Sequence, residues 1–319
     1  MLMFALEPSD PFAQSLAGAL KVAISPHEER VFPDGERKLR PLVDPRGADA
    51  YVVHSLHGGP TDSPHDKLCR LLMFIATLKD HGAARVTAVV PYLSYARKDQ
   101  QTKSHDPVGL RYVAQLFDAV GVSQLIVLEA HNVAAFQNAF RCPTVHLSAH
   151  PLFGVLAQEI AAVGSLAVAS PDPGGVKRVL LWREALEEEL GRPVNFAMID
   201  KRRSAGVLSG GQLVAGDVED ATVLLLDDLI ASGETLQRSA AALRRAGAKD
   251  VLGCAAHGLF VDKAPQLLAA DGLSRLIVTD SVPAFRLPDG GPVRAKLHVV
   301  SAAPLFAQAI RASHGSWWQ

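Results

Sequence analysis

The apolar run Thr222-Val-Leu-Leu-Leu226 stops at two adjacent carboxylates, Asp227 and Asp228. A small-residue loop, Ala231-Ser232-Gly233-Glu234-Thr235, then opens a helical pattern. A short continuous apolar run bounded by turn signals reads as a buried strand, so this stretch predicts strand, loop and helix. Two further patterns occur twice. Leu78-Lys-Asp-His-Gly82-Ala-Ala-Arg-Val86 matches Leu243-Arg-Arg-Ala-Gly247-Ala-Lys-Asp-Val251, each a helix end, a glycine C-cap and entry into a strand. Gly121-Val-Ser-Gln-Leu-Ile-Val127 likewise matches Gly272-Leu-Ser-Arg-Leu-Ile-Val278. Repeats of helix, glycine and apolar strand are those of right-handed βαβ units, which predicts two similar halves, each a parallel sheet flanked by helices. The spacing is unequal: 39 residues separate Gly82 from Gly121, but 25 separate Gly247 from Gly272. The surplus in the first half is polar and follows the strand Val86–Val90, as a functional loop would.

At 319 residues the chain suits about two domains. Periodicity breaks over Cys142–Pro151, so the expected division is 1–146 and 147–319, with a last helix over Pro304–Arg311 that suits either half. With 48% hydrophobic and 20% charged residues and a net charge of −1, no global basic field invites nucleic acid. Three separated cysteines, no basic-apolar leader and no apolar run of about 20 residues point to a reducing, non-membrane setting, with the cytoplasm as the expected location.

Other strand ends also carry chemistry. Phe32-Pro33-Asp34-Gly35-Glu36 sets an aromatic before a turn with two acids. Tyr95-Ala96-Arg97-Lys98-Asp99 places two bases beside an acid, suited to a polyphosphate and to stacking on a base. Val168-Ala-Ser-Pro-Asp172-Pro-Gly-Gly-Val-Lys-Arg178 is a strand, a turn bearing Asp172 and a helix start. Met198-Ile-Asp-Lys201-Arg-Arg203 follows an apolar strand with three bases. Lys201 and Arg203 share one side if the strand continues, and two cations there suit phosphoryl transfer. Ser204–Gly211, rich in glycine and serine, is a candidate lid. Each stretch has an ordinary alternative: a surface turn, a solvated charge cluster or a helix cap. For Asp227 and Asp228 that alternative is costly, because two acids ending an apolar strand need donors or a ligand. In an open α/β sheet ligands bind outside the carboxyl ends of strands, where amides at a helix start hold phosphate and carboxylates hold ribose hydroxyls or Mg²⁺.

The Asp-Asp loop resembles the phosphoribosyl-pyrophosphate (PRPP) loop shared by type I phosphoribosyltransferases and PRPP synthetases. In this order the five segments resemble the ribose-phosphate pyrophosphokinase (PRPP synthetase) family, over roughly Phe32 to Pro304. The resemblance implies an α/β fold of two similar type I phosphoribosyltransferase-like domains. It implies transfer of the diphosphoryl group of ATP to ribose 5-phosphate, giving PRPP and AMP with Mg²⁺, in a homo-oligomer. By motif position, Phe32, Asp34, Gly35, Glu36, Arg97, Lys98 and Asp99 would bind ATP, with Arg97 and Lys98 across the subunit boundary. His131 and Asp172 would hold the metal–nucleotide, and Lys201 and Arg203 would be catalytic. Asp227 and Asp228 would bind ribose hydroxyls or metal, while Ala231, Ser232, Gly233, Glu234 and Thr235 would cradle the 5-phosphate. The chain departs from the family pattern at Ala231, at Glu234, in Glu129-Ala-His131 and in the QQTKSH loop after Asp99. These departures leave open a diphosphokinase for another sugar phosphate and a non-catalytic regulatory relative.

Overall fold

In the computed structural model of the chain, residues 1–204 and 207–315 are described, with the stretch 201–212 described by its backbone pairing alone. The chain forms two units, Met1–Ser148 together with the segment from Ser301 onward, and Ala149–Val300. The first contains β1 (Leu2–Ala5), α1 (Pro11–Leu20), β2 (His27–Val31), β3 (Arg37–Pro41), β4 (Asp49–Val53), α2 (Pro64–Asp80), β5 (Arg85–Val90), α3 (Gly109–Ala119), β6 (Gln124–Leu128), α4 (Val133–Ala139) and β7 (Thr144–Leu147). Strands β1, β4, β5, β6 and β7 pair in that order as an all-parallel sheet, while β2 and β3 pair with each other as an antiparallel hairpin. Strands covered on both faces are apolar runs, and β4 and β6 are buried at every position. Helix α2 starts at a capping box in which Ser63 and Asp66 satisfy each other's backbone amides, with Pro64 in the first turn. Its Leu68, Leu71, Leu72, Ile75 and Leu78 recur at helical spacing and enter the core under the sheet.

The second unit contains α5 (Gly154–Val163), β8 (Leu166–Ser170), α6 (Val176–Leu190), β9 (Asn195–Ser204), β10 (Val207–Gly216), β11 (Thr222–Ile230), α7 (Glu234–Arg245), β12 (Asp250–Gly258), α8 (Ala264–Ala269), β13 (Arg275–Thr279), α9 (Pro292–Ala295) and β14 (Leu297–Val300). Its seven strands run in the order β10-β9-β8-β11-β12-β13-β14, parallel except for β10 against β9. The chain proceeds from β8 to β9 on one side and then returns to β11 on the other. The carboxyl ends of β8 and β11 therefore flank a topological switch point, where open α/β sheets bind ligands.

The internal repeat is structural. Gly82 ends α2 and Gly247 ends α7, with φ of +83° and +96°. The amide that follows bonds back identically in each, Ala83 to Leu78 O and Ala248 to Leu243 O, both at 3.0 Å. Gly121 and Gly272, also at positive φ, lead into β6 and β13. Both units are thus α/β with helix-flanked sheets, and the surplus residues of the first form the loop between β5 and α3.

The last helix, α10 (Ala303–Gly315), buries Phe306, Ala307 and Ile310. It lies on α1, where the rings of Phe12 and Phe306 meet edge-on at 5.2 Å. The chain from Ser301 therefore groups with the first unit, whereas the sequence division carries it with the second. Among the described residues no helix is long and apolar enough to cross a membrane.

Candidate active site

Strand β11 carries Asp227 and Asp228 to the switch point. Asp228 is 4% exposed, and Asp227, partly buried, accepts the Asp228 amide at 2.9 Å through Oδ1. Burial first, and then the neighbouring Asp228 charge, push the Asp227 carboxyl well above the usual range, while Arg178 at the start of α6 acts in the opposite sense. Such a pair gains from hydroxyl donors or from a divalent cation, either of which favours the ionised form. Among the described residues no group of three or more His, Cys, Asp or Glu is arranged to hold a metal.

The loop after β11 turns at Gly233, whose φ of +77° places it in the left-handed region. A Cβ there would lie 2.6 Å from the side chain of Leu268, so both backbone and packing demand glycine. Helix α7 begins at the next residue, and the first amides of any helix have no intrahelical acceptor. The Glu234 amide has Ser232 Oγ at 3.5 Å, a marginal bond. The Glu234 carboxylate is exposed and pairs with Arg238 one turn along the helix at 3.2 Å. Opposite this loop, Asp172 follows β8, and its Oδ1 accepts the amides of Gly174 and Gly175 at 3.0 and 3.3 Å. Asp172 thus caps the short turn leading into α6, and Ser239 of α7 reaches Pro171 O of the same loop at 3.5 Å. Lys201 and Arg203 lie in β9, in register with Gln212 and Leu208 of β10. Their side chains fall outside the described residues; of the lid expected over Ser204–Gly211, Ser204 ends β9 and residues 207–211 begin β10, while residues 205–206 fall outside the described residues.

In the first unit, Phe32–Glu36 is the turn of the β2–β3 hairpin. Gly35 takes a φ of +94°, its amide bonding to Phe32 O at 2.9 Å, while the Glu36 amide donates to Asp34 Oδ1 at 3.1 Å. Asp34 and Glu36 are exposed, and the Arg30 guanidinium lies 5.0 Å from the centre of the Phe32 ring. In the loop after β5, Tyr95 takes a left-handed φ of +64° just before Arg97, Lys98 and Asp99. Lys98 pairs with Asp106 at 2.6 Å, a contact that, with Thr102, holds the Asp106 carboxyl well below its usual range. Arg97 is exposed.

Asp99 is joined to the third loop, because Asn132 Nδ2 donates to its Oδ2 at 2.7 Å. That loop follows β6, with Glu129 at a φ of +44° and His131 exposed. The structure thus brings the Asp99 and His131 loops together within the first unit, and the Asp172 and Asp227 loops together within the second. His131 and Asp172 stand in different units. Sequence reasoning passes over Asn132 and Arg178, although Arg178 closes the PDPGGVKR segment that it singles out.

A family model for the N-terminal domain of ribose phosphate pyrophosphokinase matches residues 1–121. A second, for the phosphoribosyl synthetase-associated domain, matches residues 210–316. Ribose-phosphate pyrophosphokinase of Thermotoga maritima is 31% identical over 313 residues, covering 97% of this chain and 94% of its own. The chain belongs to the ribose-phosphate pyrophosphokinase family. The ribose-phosphate pyrophosphokinase of Caldanaerobacter subterraneus subsp. tengcongensis is 33% identical over 303 residues, 95% of this chain and 91% of that one. The crystal structure of phosphoribosylpyrophosphate synthetase from Mycobacterium smegmatis superposes with a TM-score of 0.86 at 34% identity, covering 99% of both chains. The molecule is therefore an enzyme of the ribose-phosphate pyrophosphokinase type. The hairpin turn and the Tyr95–Asp99 loop fall in the first matched stretch, and the Asp227–Thr235 loop falls in the second.

Proposed function

We propose that this chain transfers the diphosphoryl group of ATP to the anomeric hydroxyl of ribose 5-phosphate, giving PRPP and AMP. The observation that carries this reading is the Asp227–Asp228 pair, with Asp228 buried and Asp227 partly so, beside the Gly233 turn at the switch point of a sheet whose family is that of ribose-phosphate pyrophosphokinases. The anomeric hydroxyl oxygen attacks the β-phosphorus and gives up its proton to solvent, the bond from that phosphorus to the α–β bridging oxygen breaks, and AMP departs with the electron pair. Asp227 and Asp228 accept from ribose hydroxyls or share the metal, and the amides over Ala231–Thr235 with the Ser232 and Thr235 hydroxyls hold the 5-phosphate. Phe32, Asp34, Gly35 and Glu36, with Arg97, Lys98 and Asp99, hold and orient the adenine nucleotide. Lys201 and Arg203 offset charge on the migrating phosphates, and losing Lys201 is expected to lower kcat by about 10²–10³. His131 and Asp172 would each help hold the metal–nucleotide, and Mg²⁺ bound there would supply charge neutralisation on the phosphates. Assembly as a homo-oligomer and a cytoplasmic location belong to the same reading.

Glu234 pairs with Arg238 one turn along the helix, and Ala231 and Glu234 are the positions at which the sugar-phosphate loop departs from the family pattern. Incubation of the purified protein with ATP, Mg²⁺ and ribose 5-phosphate is expected to release AMP and PRPP in equal amounts. Nucleotide binding without AMP release, whatever pentose phosphate is supplied, contradicts the proposal.

A further inference from the structure

Among the described residues the β2–β3 hairpin pairs with no other strand, and a lone two-stranded hairpin is marginal in water. Its turn carries Phe32–Glu36, so whatever anchors the hairpin also places that turn. Two apolar contacts contribute: Leu39 enters the core, and the His27 ring meets Phe74 at 5.5 Å. Both lie away from the turn. Closer to it stands a closed ring of four charges. Arg37 donates to Glu29 and to Asp62, both at 2.7 Å, and Arg70 donates to the other oxygen of each, at 2.6 and 2.9 Å. Arg70 also reaches Leu6 O at the end of β1 at 3.0 Å, which fixes the ring to the parallel sheet.

Ownership of the charges is the informative point. Glu29 and Arg37 belong to the hairpin, whereas Asp62 and Arg70 belong to the scaffold, so each side supplies one acid and one base. The side chains of Arg70, Asp62, Glu29 and Arg37 are 6, 12, 17 and 27% exposed. The other ion pair of the hairpin, Arg40–Glu28, is 56 and 39% exposed and joins hairpin only to hairpin. Exposed pairs contribute little, whereas forked Arg–carboxylate bonds away from water fix geometry. Burial opposes ionisation of Glu29, yet hydrogen bonds from Arg37 and Arg70 hold its carboxyl below the usual range. Arg37 follows Glu36 directly, so the ring grips the hairpin one residue from the turn.

We propose that Arg37, Glu29, Asp62 and Arg70 are positioning residues that hold the Phe32–Glu36 turn for adenine-nucleotide binding. This rests on the reading of that turn as part of the nucleotide site. The ring touches no substrate and acts through the placement of the hairpin.

The double variant Glu29→Gln/Arg37→Gln tests it. It removes both hairpin charges and leaves the scaffold pair Arg70–Asp62 complete, so no buried charge is stranded. Equilibrium binding of ATP, the KM for each substrate, kcat and the thermal midpoint are measured beside wild type and Arg40→Gln. The double variant is expected to bind ATP roughly tenfold more weakly, with kcat and the KM for ribose 5-phosphate within about twofold and no matching loss of fold. Arg40→Gln is expected to match wild type. Asp62→Asn, milder because it leaves the hairpin intact, and Arg37→Lys, whose single ammonium cannot fork to two carboxylates, are expected to weaken ATP binding in the same direction. ATP affinity within about twofold of wild type in the folded double variant overturns the proposal. So does a uniform loss of kcat and both substrates' binding in step with unfolding. A wild type that binds ATP but forms no PRPP refutes the proposed function alone, since the ring is then judged on ATP affinity.

Discussion

Gly233 concentrates two demands on one position: a φ of +77° and the Leu268 side chain where a Cβ would stand. Gly233→Ala is expected to cost about 1–3 kcal/mol and to raise the KM for ribose 5-phosphate at least roughly tenfold, read by thermal unfolding and by steady-state kinetics. His54 makes a separate residue-scale prediction. It is buried, its Nε2 has no hydrogen-bond partner among the described residues, and burial followed by the charges of Arg70 and Lys67 holds its imidazole well below the usual 6.5. The folded protein keeps it neutral, while the unfolded chain gains a proton as pH falls through about 6.5, so stability drops on the acid side by up to ~1.4 kcal/mol per pH unit. Above that pH both states are neutral and the group contributes no slope. The denaturant midpoint of His54→Gln is expected to fall less steeply than that of wild type between about pH 7.5 and 5.5, and parallel slopes contradict this. At this scale the sequence is a mixed guide. The need for Gly233 is visible in the small-residue loop, but the pairing of Glu234 with Arg238 depends on a rotamer that composition does not encode.

Loops at strand ends act in pairs. Asn132 is both the N-cap of α4, accepting the Ala135 amide at 3.1 Å, and the donor to Asp99 at 2.7 Å. The two duties separate by substitution. Asn132→Asp keeps an equally good cap but sets a carboxylate against Asp99, so the KM for ATP is expected to rise roughly tenfold with the thermal midpoint near wild type. Asn132→Ala loses the cap too and is expected to cost about 1 kcal/mol in addition. An unchanged KM for ATP in Asn132→Asp contradicts the coupling. The strands, the glycine C-caps and the polar insertion after β5 are legible in sequence because periodicity and glycine chemistry are local. The bond from Asn132 to Asp99 is not, since residues 33 apart meet only once β5 and β6 pair. The charge ring escapes sequence reading for the same reason: its two stretches, Glu29 to Arg37 and Asp62 to Arg70, meet only in the fold.

On the scale of the whole molecule, the duplicated βαβ pattern foretells two similar α/β units, and the glycines at 82, 121, 247 and 272 mark equivalent places in them. The placement of α10 is not foretold. Its apolar face suits either unit, and the choice is made by Phe306 against Phe12, a contact between opposite ends of the chain. The two units divide the labour in the proposed reaction, with nucleotide loops in the first and the sugar-phosphate loop in the second. The same division gives the central claim its sharpest test, whether two phosphates move together. With ATP labelled at the β- and γ-phosphorus, Mg²⁺ and ribose 5-phosphate, the account predicts both labels in the sugar product, with unlabelled AMP released only when the sugar is present. Transfer of the γ-label alone with ADP formed, or AMP release that does not depend on ribose 5-phosphate, would contradict it.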